Sequence, residues 1–133
     1  MARYLLDTSA VLAHFRNEAG AAQVQELIED EGSEILLATP TLVELRRRLK
    51  ELGAGARAVE DAVSGYVEMA DEVISIDVDA AHAAWEVSRG ARRRVPLVDA
   101  LIAGAARRAA ATLVHRDPHM AGIPANLLTQ VQL

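Results

Sequence analysis

The sequence predicts an α/β fold: a parallel sheet covered by helices on both faces. Short apolar runs, each too brief for a helix, recur along the chain. Between them lie segments with helical periodicity and charged outer faces. Strands alternating with helices in this way imply βαβ units around a parallel sheet. A third observation shows which edge of that sheet matters, because acids stand at or just past the ends of the runs.

Tyr4-Leu5-Leu6 is the first buried strand, stopped by Asp7 and the hydroxyls of Thr8 and Ser9. Ser9 to Arg16 reads as a short helix, and Ala19 to Glu31 as a second with Val24, Leu27 and Ile28 on one face. Gly32-Ser33 breaks it, and Ile35 to Ala38 is the second strand. Thr39-Pro40 then supplies an N-cap and a first-turn proline for a helix running to about Leu52. Ala56 to about Ala70 follows, with Val59, Val63 and Val67 in a row. Val73 to Ile76 is a third strand, and Asp77 caps a helix that places Ala81, Ala84 and Trp85 on one face. Val95-Pro96 opens the helix Leu97 to Ala111. Leu113-Val114 is a fourth strand, and Leu127 to Leu133 is a fifth at the sheet edge. No linker or repeat interrupts residues 1–133, so one domain is expected.

Composition narrows the chemistry. The 133 residues are 51% hydrophobic and 25% charged, with no cysteine, which removes disulfides, zinc thiolates and cysteine nucleophiles. No apolar run is long enough to span a membrane and no signal peptide opens the chain, so a soluble cytoplasmic protein without membrane contact is expected. A formal net charge of −5 argues against nucleic-acid binding by the whole surface. The basic residues cluster instead, at Arg46-Arg47-Arg48, at Arg92-Arg93-Arg94, and at Arg107-Arg108 with Arg116.

Four acids land on one edge. Asp7 ends the first strand, and Glu44 lies about one turn into the helix after the second. Asp99 falls in the first turn of the helix opened by Pro96, and Asp117 follows the fourth strand in His115-Arg116-Asp117-Pro118. Right-handed crossovers carry every strand C-terminus to the same edge, the usual ligand crevice of such sheets. Each acid also has a plainer role open to it. Asp7 or Thr8 could cap a helix, Glu44 could pair with a neighbouring arginine, Asp99 could be a first-turn acid, and Asp117 could serve a turn.

Crowded carboxylates repel unless something neutralises them. An oxygen-only ligand set without cysteine points to Mg²⁺ or Mn²⁺, and such a site suits phosphodiester hydrolysis. Arg92, Arg93 and Arg94, just upstream of Asp99, could border the cleft and hold a nucleic-acid backbone.

Leu5 to Leu12, Thr41-Leu42-Val43-Glu44, Val98 to Ala103 and Leu113 to Asp117 together resemble the PIN-domain ribonucleases. They look most like the VapC-like toxins of type II toxin–antitoxin systems. The resemblance spans essentially the whole chain, in order. It implies a three-layer α/β/α sandwich with a central, mainly parallel sheet, and a Mg²⁺- or Mn²⁺-dependent endoribonuclease acting on RNA. It also implies a homodimer and an antitoxin that blocks the cleft. By position, Asp7, Glu44, Asp99 and Asp117 match the catalytic acids, with Asp7, Asp99 and Asp117 as metal ligands. Ser9 matches a small polar residue beside them, and Ser9, Arg92, Arg93, Arg94, His115 and Arg116 are the candidate substrate contacts. His115 departs from the pattern, standing where many members carry Thr or Ser. It is either an outer donor to Asp117 or a phosphate contact.

Two other classes remain open: a PIN-like domain that only binds RNA or protein, and a receiver- or phosphatase-like domain with Asp7 as phosphoryl acceptor. The rows Leu42-Leu45-Leu49 and Val59-Val63-Val67 could line an antitoxin groove, pack in the core, or form a homodimer seam.

Overall fold

The computed structural model describes residues 1–133. In chain order the elements are β1 (Ala2–Leu6), α1 (Thr8–Phe15), α2 (Ala21–Glu29), β2 (Ser33–Ala38), α3 (Thr39–Glu51), α4 (Ala56–Met69) and β3 (Glu72–Ile74). There follow α5 (Val78–Gly90), α6 (Leu97–Arg108), β4 (Thr112–His115), a 3₁₀ turn (Pro118–Gly122) and β5 (Gln130–Gln132). The strands form one sheet in the order β3-β2-β1-β4-β5, and every pair is parallel.

Side chains alternate across a strand, so a continuous apolar run feeds two cores at once. Leu5, Leu36 and Leu113 face α5 and α6, where they meet Val87, Ile102, Ala103 and Ala106. Leu6, Ile35, Leu37 and Val114 face the other way and pack with Val11, Val24, Leu45 and Val63 from α1 to α4. Helices therefore cover both faces, giving the expected α/β/α sandwich. No helix is long and apolar enough to cross a membrane.

Several local readings need correction. On α5 the buried face is Ala80, Ala84 and Val87, while Trp85 is 62% exposed and Ala81 faces solvent. The cause is close helix packing: a Cβ on Gly104 of α6 would lie 2.5 Å from the Ala84 backbone nitrogen, leaving no room for an indole. On α4 the row continues from Val59 and Val63 to Tyr66, and Val67 is exposed. Leu45, Leu49, Val59 and Val63 belong to the core, with Leu42 partly buried against it. Ala38, still paired in β2, occupies the N-cap of α3, and Thr39 is already helical.

The remaining differences are at element ends. Gly20 (φ +96°) starts α2 late, and Asp30 ends it by accepting bonds from the Gly32 amide and the Ser33 hydroxyl, a local alternative to the helix. Ala110 (φ +52°) lies just past the end of α6, short of the expected Ala111. β3 stops at Ile74, and β5 keeps only Gln130–Gln132 because Leu127 and Leu128 turn back onto the Pro124 carbonyl.

Candidate active site

Asp7 stands at the carboxyl end of β1, 2% exposed, where it caps α1. Its Oδ1 accepts from the Ala10 amide at 2.9 Å and from the Ser9 hydroxyl at 2.6 Å. These bonds favour the carboxylate, yet burial outweighs them. Desolvation, with Asp99 and Asp117 adding repulsion, pushes its pKa up to about 7. The capping role is real, and it serves to hold the acid in the crevice.

Glu44 does not pair with its arginine neighbours. Arg46 binds Glu60 at 2.7 Å and Arg48 binds Glu51 at 3.0 Å. The Thr8 hydroxyl donates to Glu44 Oε1 at 2.6 Å and lies 3.2 Å from Thr41 Oγ1. Asp99, in the first turn of α6, is pushed up to about 6 by its own burial, then by Asp117 and Glu44. The four carboxylates thus sense one another from four separate segments of the chain, as the sheet topology requires.

Asp117 caps the 3₁₀ turn, its Oδ1 accepting from the His119 amide and lying 2.9 Å from His119 Nδ1. Side-chain atoms of Asp99, Asp117 and His119 that could ligate a metal all lie within 4.8 Å of one another. Asp7 is near enough for Asp99 and Asp117 to raise its pKa.

The candidate substrate contacts divide. His115 is 1% exposed, and its Nδ1 accepts from the Asp117 amide at 3.1 Å. Burial lowers the His115 pKa. The imidazole is thus buried and tied to the backbone of the Asp117 segment. Ser9 Oγ is occupied on both sides, donating to Asp7 and accepting from the Arg116 amide at 2.8 Å, so it is a positioning residue. The Arg116 side chain reaches Glu18 at 3.6 Å. Arg92, Arg93 and Arg94 are exposed and form no ion pairs. The Arg92 amide donates to the Gly122 carbonyl, which fastens this loop beside the turn that starts at Asp117. A phosphoryl-acceptor role fits Asp7 poorly, since it is buried and the sole lysine, Lys50, lies in the last turn of α3.

Sequence reasoning gave no site role to Thr8 or Thr41, and passed over His119. A signal existed for two of them. Thr41 precedes Glu44 by three residues, on the same helical face, and His119 follows Asp117 at the spacing of a cap.

A parallel α/β/α sandwich with acids gathered at its carboxyl edge is the class that fold and site define. The chain belongs to the PIN-domain family, whose model matches residues 4–126. Similar solved structures include VapBC2 from Rickettsia felis bound to a promoter DNA fragment, at 18% identity over 98% of each chain and a TM-score of 0.75. DNA-bound VapBC from Salmonella typhimurium matches at 19% identity over 99% of this chain and 98% of that one, with a TM-score of 0.76. Mycobacterium tuberculosis VapC20, described as a Sarcin-Ricin loop cleaving toxin, matches at 21% identity over 91% and 96% of the two chains, with a TM-score of 0.69. At these identities the shared property is the fold. A comparison with curated proteins gave no match.

Proposed function

We propose that residues 1–133 form a single catalytic domain, a divalent-metal-dependent endoribonuclease that hydrolyses RNA phosphodiester bonds. In this reading it is the toxin of a toxin–antitoxin pair, acting in the cytoplasm as a homodimer restrained by an antitoxin protein. One observation carries the nuclease reading: Asp7, Glu44, Asp99 and Asp117 converge from separate segments, and two of them are pushed toward neutrality by burial and mutual repulsion. The VapBC complexes and VapC20 among the similar structures support the toxin and antitoxin assignments.

The donor set fits a hard divalent cation, because closely spaced carboxylates with open oxygens are destabilised without one. Asp7, Asp99 and Asp117 would hold Mg²⁺ or Mn²⁺. Bound there, the cation supplies charge neutralisation and Lewis-acid activation for in-line attack on a phosphodiester. The rest is done by this chain's own groups. Ser9 and the Ala10 amide fix Asp7, and His115 and the His119 amide fix the Asp117 segment. Thr8 engages Oε1 of Glu44, which leaves Oε2 as an acceptor for a proton from the attacking nucleophile. Arg92, Arg93 and Arg94 supply unpaired guanidiniums for the RNA backbone.

The test is cleavage of a structured RNA by the purified chain with Mg²⁺ or Mn²⁺. Chelation by EDTA and Asp99→Asn should each lower the rate about a hundredfold or more. Cleavage that persists unchanged in EDTA would overturn the reading.

A further inference from the structure

We propose that His119 supplies an imidazole nitrogen to the metal site together with Asp99 and Asp117, and thereby gives the site a preference for Mn²⁺ over Mg²⁺. The inference rests on the metal-dependent nuclease reading and goes beyond it by assigning a ligand and a selectivity. Ligating atoms of these three side chains fall within 4.8 Å of one another. Two ligands about 2.1 Å from one small cation lie up to about 4.2 Å apart. The His119 side chain is 60% exposed, so a modest rotation closes the remaining distance.

Local chain geometry delivers the imidazole. Asp117 caps the 3₁₀ turn, Pro118 holds its first position, and the His119 amide is tied to Asp117 Oδ1. The ring therefore returns over the same carboxylate instead of pointing away. His115 offers no competing nitrogen, being buried with its Nδ1 accepting from the Asp117 amide.

Selectivity follows from ligand softness. Carboxylates and water suit Mg²⁺, whereas an imidazole favours first-row transition ions, for which affinity rises from Mn²⁺ onward. A purely structural His119 that only donates a hydrogen bond to Asp117 would support both cations alike. That difference separates a ligand from a brace.

The experiment titrates Mn²⁺ and Mg²⁺ separately into the metal-free chain, as wild type, His119→Gln and His119→Asp. Affinity is read by thermal shift, and Mn²⁺ coordination by pulsed electron paramagnetic resonance. Wild type should show nitrogen hyperfine coupling that both variants lose. His119→Gln should weaken Mn²⁺ about tenfold or more and Mg²⁺ about threefold or less. His119→Asp, with an oxygen in place of the nitrogen, should move the preference back toward Mg²⁺. Mn²⁺ bound without nitrogen coupling, coupling that survives in the variants, or equal loss of both cations would overturn the proposal while leaving an acidic metal site intact. If neither cation stabilises the wild type, the nuclease reading falls with it.

Discussion

Thr8 has one hydroxyl proton, and the 2.6 Å bond gives it to Glu44. Thr8→Val keeps the shape and removes the donor. Glu44 can recruit water, so stability should fall by only about 1 kcal/mol in denaturant titration. RNA cleavage should fall further, about tenfold or more, because catalysis is more sensitive than folding to a displaced group. Wild-type turnover in Thr8→Val would show that Glu44 is held by something else. His115 should behave in the opposite way. His115→Ala leaves a cavity and frees the Asp117 amide, with an expected cost of about 2–4 kcal/mol. A loss below about 1 kcal/mol would remove it from the scaffold. The four acids were legible in sequence because strand ends announce themselves. The roles of Ser9 and His115 were not, since a polar residue at a strand end reads alike whether it faces a cleft or a neighbouring amide.

At the scale of elements, α5 and α6 form the tightest joint. Gly104→Ala would gain up to about 1 kcal/mol of helix propensity. The new methyl would meet Ala84 N at 2.5 Å and Cα at 2.7 Å, backbone atoms that cannot swing aside. Overpacking of this kind typically costs about 1–3 kcal/mol, so the variant should be less stable in urea. Cation affinity should drop as well, because Asp99 rides on the displaced helix. A stabilised Gly104→Ala would mean that the joint is looser than its geometry. The same joint explains what periodicity could and could not reveal. Strand positions, helix order and the doubly covered sheet followed from apolar spacing. The buried face of α5 did not, since alanines on every side left Trp85 as the heaviest vote, and the partner's glycine decided against it. The ends of α2 and α6 were set by Gly20 and Ala110 in left-handed backbone, which only the folded chain displays.

The whole molecule is acidic, at a net charge of −5, while three of its five arginines without an ion pair gather at residues 92–94, the others being Arg47 and Arg107. RNA binding should therefore depend on that one patch. Replacing all three by Ala should flatten the log–log salt dependence by up to about 0.7 unit per lost contact and leave Mn²⁺ affinity unchanged. An unchanged slope would place the RNA elsewhere. The acidic crevice makes the opposite demand, on protons. Asp7 and Asp99 titrate near 3.8 in the unfolded chain and at about 7 and about 6 in the folded one. Between those values the folded state holds the extra proton, so metal-free stability falls as pH rises. The loss is fully expressed only above the folded values, with a slope of about 1.4 kcal/mol per pH unit for each group. Both contribute from about pH 4 to 6, and Asp7 continues to about 7. Other carboxylates titrate in the lower part of this window, so the clean observable is the difference between wild type and Asp7→Asn. In EDTA the variant should overtake wild type as pH climbs from 5 to 7.5. Bound cations need the ionised acids, so the stabilisation given by Mn²⁺ should grow across the same interval in wild type and be weaker in Asp7→Asn. If the two proteins kept a constant stability difference at every pH, with and without Mn²⁺, the carboxylate of Asp7 would be a helix cap and nothing more.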